Sequence, residues 1–384
     1  MSKDHPVRKY RMVKYKRGVN HMAKLGISVY PEHSTEERDI EYIRKAGSLG
    51  YKRIFTCLLS VEESREEVIC RFRRLADEAH ACGMEIIPDV SPAVFSRMGI
   101  SYEDLSVFQE MHVDGIRLDE GFDGMKESLM TYNPQGLKIE LNASTRLAYV
   151  ENVIDHHPDR DKLITCHNFY PQKYTGLSLK QFHTCNDKMK SLGLKVAAFV
   201  SSNAPGAYGP WPVNEGLCTL EMHRGLPIDF QVRHLLATGM VDDVLIANAY
   251  ATDEELEACA AINTSILTFG IHLEKELTQT ESQILDYELR HVVRGDLNDY
   301  MIRSSGPRVT FADRSIPAAN TRDLKPGDVV ILNDGYPKYK GELQIVTKDM
   351  PNDGRKNVIG HIPEHEHVLL DYAEPWTVFA FCIL

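Results

Sequence analysis

Residues 115-GIRLDEGF-122 read as a short strand, Gly115 to Leu118, that stops at two acids and a glycine. A buried strand ending in carboxylates delivers charge to the rim of an apolar framework, and parallel α/β folds collect reactive groups at that carboxyl edge. Two neighbouring stretches repeat the form: 85-EIIPDVSP-92 offers Asp89, and 138-KIELNAS-144 offers Glu140 and Asn142. Working outward, short β-rich runs alternate with amphipathic helical stretches. The predicted runs are 25–29, 53–58, 85–89, 115–119, 138–141, 163–166, 195–200 and 243–246. Between the first two, 34-STEERDIEYIRKAGSLG-50 has Ser34 as N-cap, Glu37 three residues on and a Gly50 stop, the marks of a capped helix. Helical patterns follow over 62–83, 178–193 and 253–266. Eight βα units in one row favour an α/β fold closed as a TIM (β/α)8 barrel over a doubly wound open sheet.

Past Phe269 the rhythm changes. The stretches 285–295, 299–305, 326–335, 339–349 and 357–372 are strand-like, with turn chemistry at Asp334-Gly335 and Asp353-Gly354. The expected organisation is a barrel over 23–268 and a small all-β domain over 269–384. Residues 1–22 are basic and lack the apolar stretch of a secretory signal, so they read as an N-terminal extension.

Bulk properties narrow the function. A formal net charge of -11 argues against a nucleic-acid partner, which needs a cationic surface. No apolar run approaches the roughly 18 residues of a membrane span. The eight cysteines are scattered without a C-x-x-C pair, which fits reduced thiols in a cytoplasmic chain.

A barrel would gather the strand ends on one rim. The first strand ends with Glu32 and His33; the sixth ends with His167, Asn168 and Tyr170, with Lys173 following. These join Asp89, Asp119, Glu140 and Asn142. Glycosidic cleavage needs one carboxylic acid to protonate the leaving oxygen and a second group to meet the sugar carbon. Asp119 and Glu140 are the nominated pair, in either order, with Glu120 in reserve. No phosphate loop of the G-x-x-x-x-G-K-[ST] type is present. A phosphate would sit on the last βα loops, at Ser201, Ser202 and Asn203 or at Asn248 and Ala249. The long loop 201-SSNAPGAYGPWPVNEGLC-218 carries Trp211, either a stacking face for a sugar or packing for the loop. H-E-x-x-H is absent, and 361-HIPEHEH-367 reads as the solvated face of a strand. No cofactor or metal is expected, although Glu32, Asp89, Asp119, Glu140 and His167 together would suit a hard divalent cation.

The runs 25-LGISVYPEHS-34, 53-RIFTCLLS-60, 115-GIRLDEGFDG-124, 138-KIELNAS-144, 166-CHNFYPQKYTGLS-178 and 339-YKGELQI-345 resemble the bacterial 6-phospho-N-acetylmuramidases. That resemblance covers the chain from Lys24 onward. It implies a TIM barrel followed by a small cyclophilin-like β-barrel, and an intracellular glycosidase of peptidoglycan recycling. The implied substrate is a small phosphorylated amino-sugar disaccharide, 6-phospho-N-acetylmuramyl-β-1,4-N-acetylglucosamine. Arg117, Lys173, Arg294 and Arg303 are candidates for its phosphate and lactyl carboxylate. Two other classes stand beside this reading: a divalent-metal-dependent sugar-phosphate isomerase or epimerase, and a non-catalytic carbohydrate-binding protein.

Overall fold

The structure, a computed structural model, describes residues 23–59, 63–145 and 147–384. The expected extension over 1–22, Ser60 and the start of the 62–83 helix lie outside the described residues. Eight parallel strands close into a barrel in chain order: β1 Lys24–Ser28, β2 Arg53–Cys57, β3 Glu85–Val90, β4 Gly115–Leu118, β5 Lys138–Asn142, β6 Leu163–Cys166, β7 Val196–Val200 and β8 Asp243–Ile246. β8 returns to pair with β1, Lys24 opposite Asp243. Alternation along each strand builds two layers. Ile54, Ile86, Ile116 and Ile139 face outward under the helices. Phe55, Cys57, Cys166, Phe199 and Leu245 face inward and fill the barrel. On that inner face the register sets Asp89 beside Arg117 and Arg117 beside Glu140. Three charged residues thus follow one another across adjacent strands of a largely apolar interior.

The helix after β1 spans Glu36–Ser48 and is capped by Thr35, whose Oγ1 accepts from the Arg38 N–H at 3.4 Å. Ser34, the expected cap, instead bonds the Tyr250 hydroxyl.

The second sheet has seven strands: β9 Leu267–Leu273, β10 His291–Val292, β11 Met301–Ser304, β12 Asp328–Leu332, β13 Leu343–Val346, β14 Lys356–His361 and β15 Val378–Ile383. Their order is β10-β15-β9-β14-β12-β13-β11, with β15 and β9 parallel and the remaining pairs antiparallel. The Arg294 N–H donates to the Arg303 carbonyl at 3.0 Å, drawing the two ends of the sheet together. Two expectations fail here. The stretch 285–295 is the end of a helix, Gln279–Leu285, followed by the two-residue β10. The run 361-HIPEHEH-367 leaves β14 at His361, because Pro363 cannot continue a ladder, and Glu364–Tyr372 forms a 3-10 helix. His365 packs on the Phe230 ring at 5.1 Å and His367 bonds the Ile362 carbonyl at 3.1 Å, so neither is a solvated strand residue.

One helix of the barrel, Ile228–Ala237, joins the two units. Phe230 enters the core of the second sheet. Arg233 forks onto Glu366 at 2.6 and 2.5 Å, and Glu366 also accepts from the Gly270 N–H at 2.7 Å. Among the described residues no helix is long and apolar enough to cross a membrane.

Candidate active site at the mouth of the barrel

Arg117 is the hub of the mouth. Its Nη1 donates to Asp89 Oδ1 at 2.6 Å and to Asp119 Oδ1 at 3.2 Å, and its Nη2 donates to Asn168. β3, β4 and β6 therefore each deliver one acceptor to a single guanidinium, the planar fork that suits such a task. Both carboxylates meet one nitrogen, so their nearest oxygens stand closer than the about 6.5–9.5 Å that separates the carboxyl groups of inverting glycosidases. The two acids differ in access: the Asp119 side chain is 36% exposed, whereas Asp89 is 7% exposed. Burial pushes the Asp89 carboxyl up to about 7; Arg117 pulls it back, and the charges of Asp119 and Glu140 push it further.

The loop behind Asp119 is built to stay still. The Glu127 carboxylate accepts from the N–H groups of Phe122 and Gly124 and from the Tyr149 hydroxyl. Gly121 leaves the room that Tyr149 occupies, where any Cβ would collide with it. Asn142 extends the frame, accepting from the Ser144 N–H at 2.9 Å and donating to the Asp119 carbonyl at 3.4 Å.

Two nominated residues do not join this group. Glu140 lies on the inner face but one layer down, fully buried, where Arg53 Nη2 donates to both its oxygens at 2.6 and 2.5 Å. Arg53 Nη1 also holds Asp243 at 3.0 Å. The nominated partners Asp119 and Glu140 are therefore held by different arginines, and the carboxylate that shares Arg117 with Asp119 is Asp89. His167 points out of the barrel, because it is the neighbour of the inward Asn168. Its ring bonds Ser144 Oγ and Asn186 Nδ2, both at 3.1 Å, and lies against Phe182. Burial drives it down to about 3, so it stays neutral.

The nominated phosphate loops also have internal partners. Ser201 is buried, with its hydroxyl accepting from the Leu217 N–H at 2.9 Å. Ser202 Oγ and the Asn203 N–H donate to the Glu255 carboxylate at 2.5 and 3.2 Å. Asn248 bonds the Ser202 backbone in both directions. An internal carboxylate thus occupies the donors that a phosphate would use there. Tyr170 is partly buried and its phenol is pushed up by that burial. Glu32 is half-buried, its charge felt by Tyr30 and Asp39 at the β1 edge of the mouth. Glu120 is exposed. Of the five proposed cation ligands only Asp89 and Asp119 share a partner, Arg117, and among the described residues no group of three or more His, Cys, Asp or Glu could hold a metal ion.

A family model described as 6-phospho-N-acetylmuramidase, N-terminal, matches residues 25–261, and its C-terminal counterpart matches residues 267–382. The chain belongs to the 6-phospho-N-acetylmuramidase family. Two solved structures match over both units. An uncharacterized B. cereus protein is 48% identical, with a TM-score of 0.86 over 94% of this chain and 99% of that one. A conserved Enterococcus faecalis protein of unknown function is 28% identical, with a TM-score of 0.71 over 94% and 96%. No curated protein matches. Membership in a family described as phosphomuramidases raises the question of where an anionic sugar would be held.

Next to the mouth is a cavity of about 680 Å³, lined among others by Lys173, Tyr174, Ser202, Asn203, Asn214 and Arg224. That volume suits a small ligand. Trp211, the expected stacking ring, is 38% exposed and is not part of the lining. Tyr174 is, and sequence reasoning did not single it out. Arg53 and Arg224 were also missed; nothing in their local strings distinguishes them from surface arginines.

Proposed function

We propose that this family member hydrolyses 6-phospho-N-acetylmuramyl-β-1,4-N-acetylglucosamine to N-acetylmuramic acid 6-phosphate and N-acetylglucosamine, as a cytoplasmic step of peptidoglycan recycling. The observation that carries this reading is a pair of carboxylates on one guanidinium at the mouth of the barrel, in a chain of a phosphomuramidase family. Asp119, the open one, faces the anomeric carbon. Asp89 is the proton source: a carboxyl raised to about 7 still holds its proton near neutrality, as a general acid must. As the glycosidic bond breaks, the Asp119 carboxylate bonds to the anomeric carbon and the Asp89 proton passes to the leaving oxygen; Asp89, now ionised, takes a proton from the water that displaces Asp119 from the sugar. The short approach of the two carboxylates favours retention of anomeric configuration.

Eight free cysteines support a reducing compartment. We draw the domain boundary near residue 268, supported by the break between the two family models, and read the nearly closed second sheet as cyclophilin-like. The test is incubation of the full chain with the phosphorylated disaccharide in EDTA, with products followed by mass spectrometry and proton NMR. Release of N-acetylglucosamine, with the 6-phosphosugar first formed as the β-anomer, is expected. An intact disaccharide after prolonged incubation would end the proposal.

A further inference from the structure

The segment that follows β6 runs from Asn168, in contact with Arg117, to Lys173 and Tyr174 on the wall of the 680 Å³ cavity, with Gly176 just beyond. It is held by an unusual brace. The Glu221 carboxylate accepts from the N–H groups of Tyr174 and Gly176, both at 2.8 Å. Gly176 permits this approach, since a Cβ there would come within 2.7 Å of the same carboxylate. Arg224 grips Glu221 with Nε and Nη2 at 2.8 and 2.7 Å and also donates to the carbonyls of Tyr170, Glu215 and Gly216. The Arg224 hydrogen bond, with the two backbone donors, holds Glu221 down at about 2, so the brace stays ionised over the working range.

This brace fixes a conformation that the chain would not adopt unaided. Tyr174 has φ 66, in the left-handed region, and is 89% exposed. A strained backbone that persists beside a ligand cavity points to use rather than to packing, because an exposed ring gains nothing from it. The neighbouring Lys173 supplies the charge. Its N–H is held by Glu215 at 3.0 Å, while among the described residues its ammonium has no partner. The other cation of the lining, Arg224, has all of its N–H donors in use. The β7 loop is closed to a phosphate by Glu255. Of the lining groups, Lys173 is the cation still free to meet an anion.

We propose that Lys173 and Tyr174 form the subsite of the phosphate-bearing sugar, the ammonium pairing with the phosphate and the ring covering one face of the pyranose. The ring offers an apolar face to the sugar's C–H groups, and its fixed backbone removes the ordering cost that a mobile loop would carry. This proposal rests on the glycosidase reading of the mouth and adds to it the residues that select a phosphorylated substrate.

The test uses the full chain, with nitrophenyl β-glycosides of N-acetylmuramic acid that do or do not carry the 6-phosphate. Calorimetric binding of N-acetylmuramic acid 6-phosphate provides a readout without turnover. Lys173→Met should raise KM for the phosphorylated glycoside about tenfold, with kcat nearly unchanged and no effect on the unphosphorylated one; Lys173→Arg should restore most of the loss. Tyr174→Ala should raise KM on both glycosides, and Tyr174→Phe should behave like the parent. Equal effects of Lys173→Met on the two glycosides, or undiminished binding of the phosphosugar, would overturn the subsite even if the parent hydrolyses both. A parent that binds the phosphosugar through Lys173 yet cleaves neither glycoside would sink the glycosidase reading and leave the subsite standing.

Discussion

Two clusters inside the barrel are made of the same parts. In the lower one Arg53 stands between Glu140 and Asp243; in the upper one Arg117 stands between Asp89 and Asp119. Each is a guanidinium with two carboxylates on the inner face of parallel strands. They differ in what lies beside the acids. Glu140 has both oxygens on Arg53 and no exposed surface, while Asp119 makes one longer bond and keeps a third of its side chain open to the mouth. A buried pair of this kind contributes little net stability, yet breaking it is costly because one charge is left alone. A half-open pair costs less to disturb and has a lone pair to offer a substrate. Charge type and the inward face are shared by the two; height in the barrel and access separate them.

The sharpest way to break that contrast is to remove one carboxylate from each cluster. Asp119→Asn should cut kcat/KM at least a thousandfold, about 4 kcal/mol in barrier, with the thermal midpoint nearly unchanged. Glu140→Gln should do the opposite: a loss of about 3 kcal/mol of stability with turnover per folded molecule largely kept. Replacing Arg53 and Glu140 together by Met and Leu should recover most of that stability, since no buried charge of the pair is then unpaired. Equal effects of the two single substitutions on rate would mean that Glu140 reaches the substrate after all. A smaller effect is expected from Arg117→Lys. A point charge cannot serve Asp89, Asp119 and Asn168 at once, so kcat/KM should fall roughly tenfold to a hundredfold with little change in fold.

Much of the barrel is legible in the sequence because every strand is buried on both faces and bounded by helix signals; β6 and β8 lie where the pattern puts them, and the others differ by a residue or two at their ends. What period-two alternation cannot convey is height. Glu140 and Asn142 share the inner face, and only the reach of Arg53 from a non-adjacent strand decides that the first is sealed and the second sits at the mouth. His167 and Asn168 are adjacent, so one must face out, and a strand end gives no sign of which. Ser34 and Thr35 are both good caps; the choice went to Thr35 because Tyr250, far along the chain, takes the serine hydroxyl. The donors of Ser202 and Asn203 look free in the sequence, since their partner Glu255 comes from the next helix. Tyr174 carries no local mark at all, because the carboxylate that holds its N–H, Glu221, starts a 3-10 helix far along the chain.

The finest discrimination between the clusters comes from pH. The Asp89 carboxyl is raised from its ordinary value of 3.8 to about 7, chiefly by burial. The folded state therefore holds this proton more tightly than the unfolded chain does. The stability associated with it is fully present below about pH 4 and is lost as pH rises through about 7. Asp89→Asn cannot ionise, so its thermal midpoint should change less than the parent's between about pH 4 and 7, with the two curves running parallel above about pH 8. The same group sets the expected rate profile: if Asp89 delivers the proton, kcat/KM of the parent should fall about tenfold per pH unit above 7. Glu140→Gln, which removes one of the charges that push Asp89 up, should move that limb to lower pH by a fraction of a unit while leaving its slope intact. Parallel melting curves for the parent and Asp89→Asn between about pH 4 and 7, together with a flat rate profile through pH 8, would show that the proton comes from elsewhere and that the upper cluster only orients Asp119.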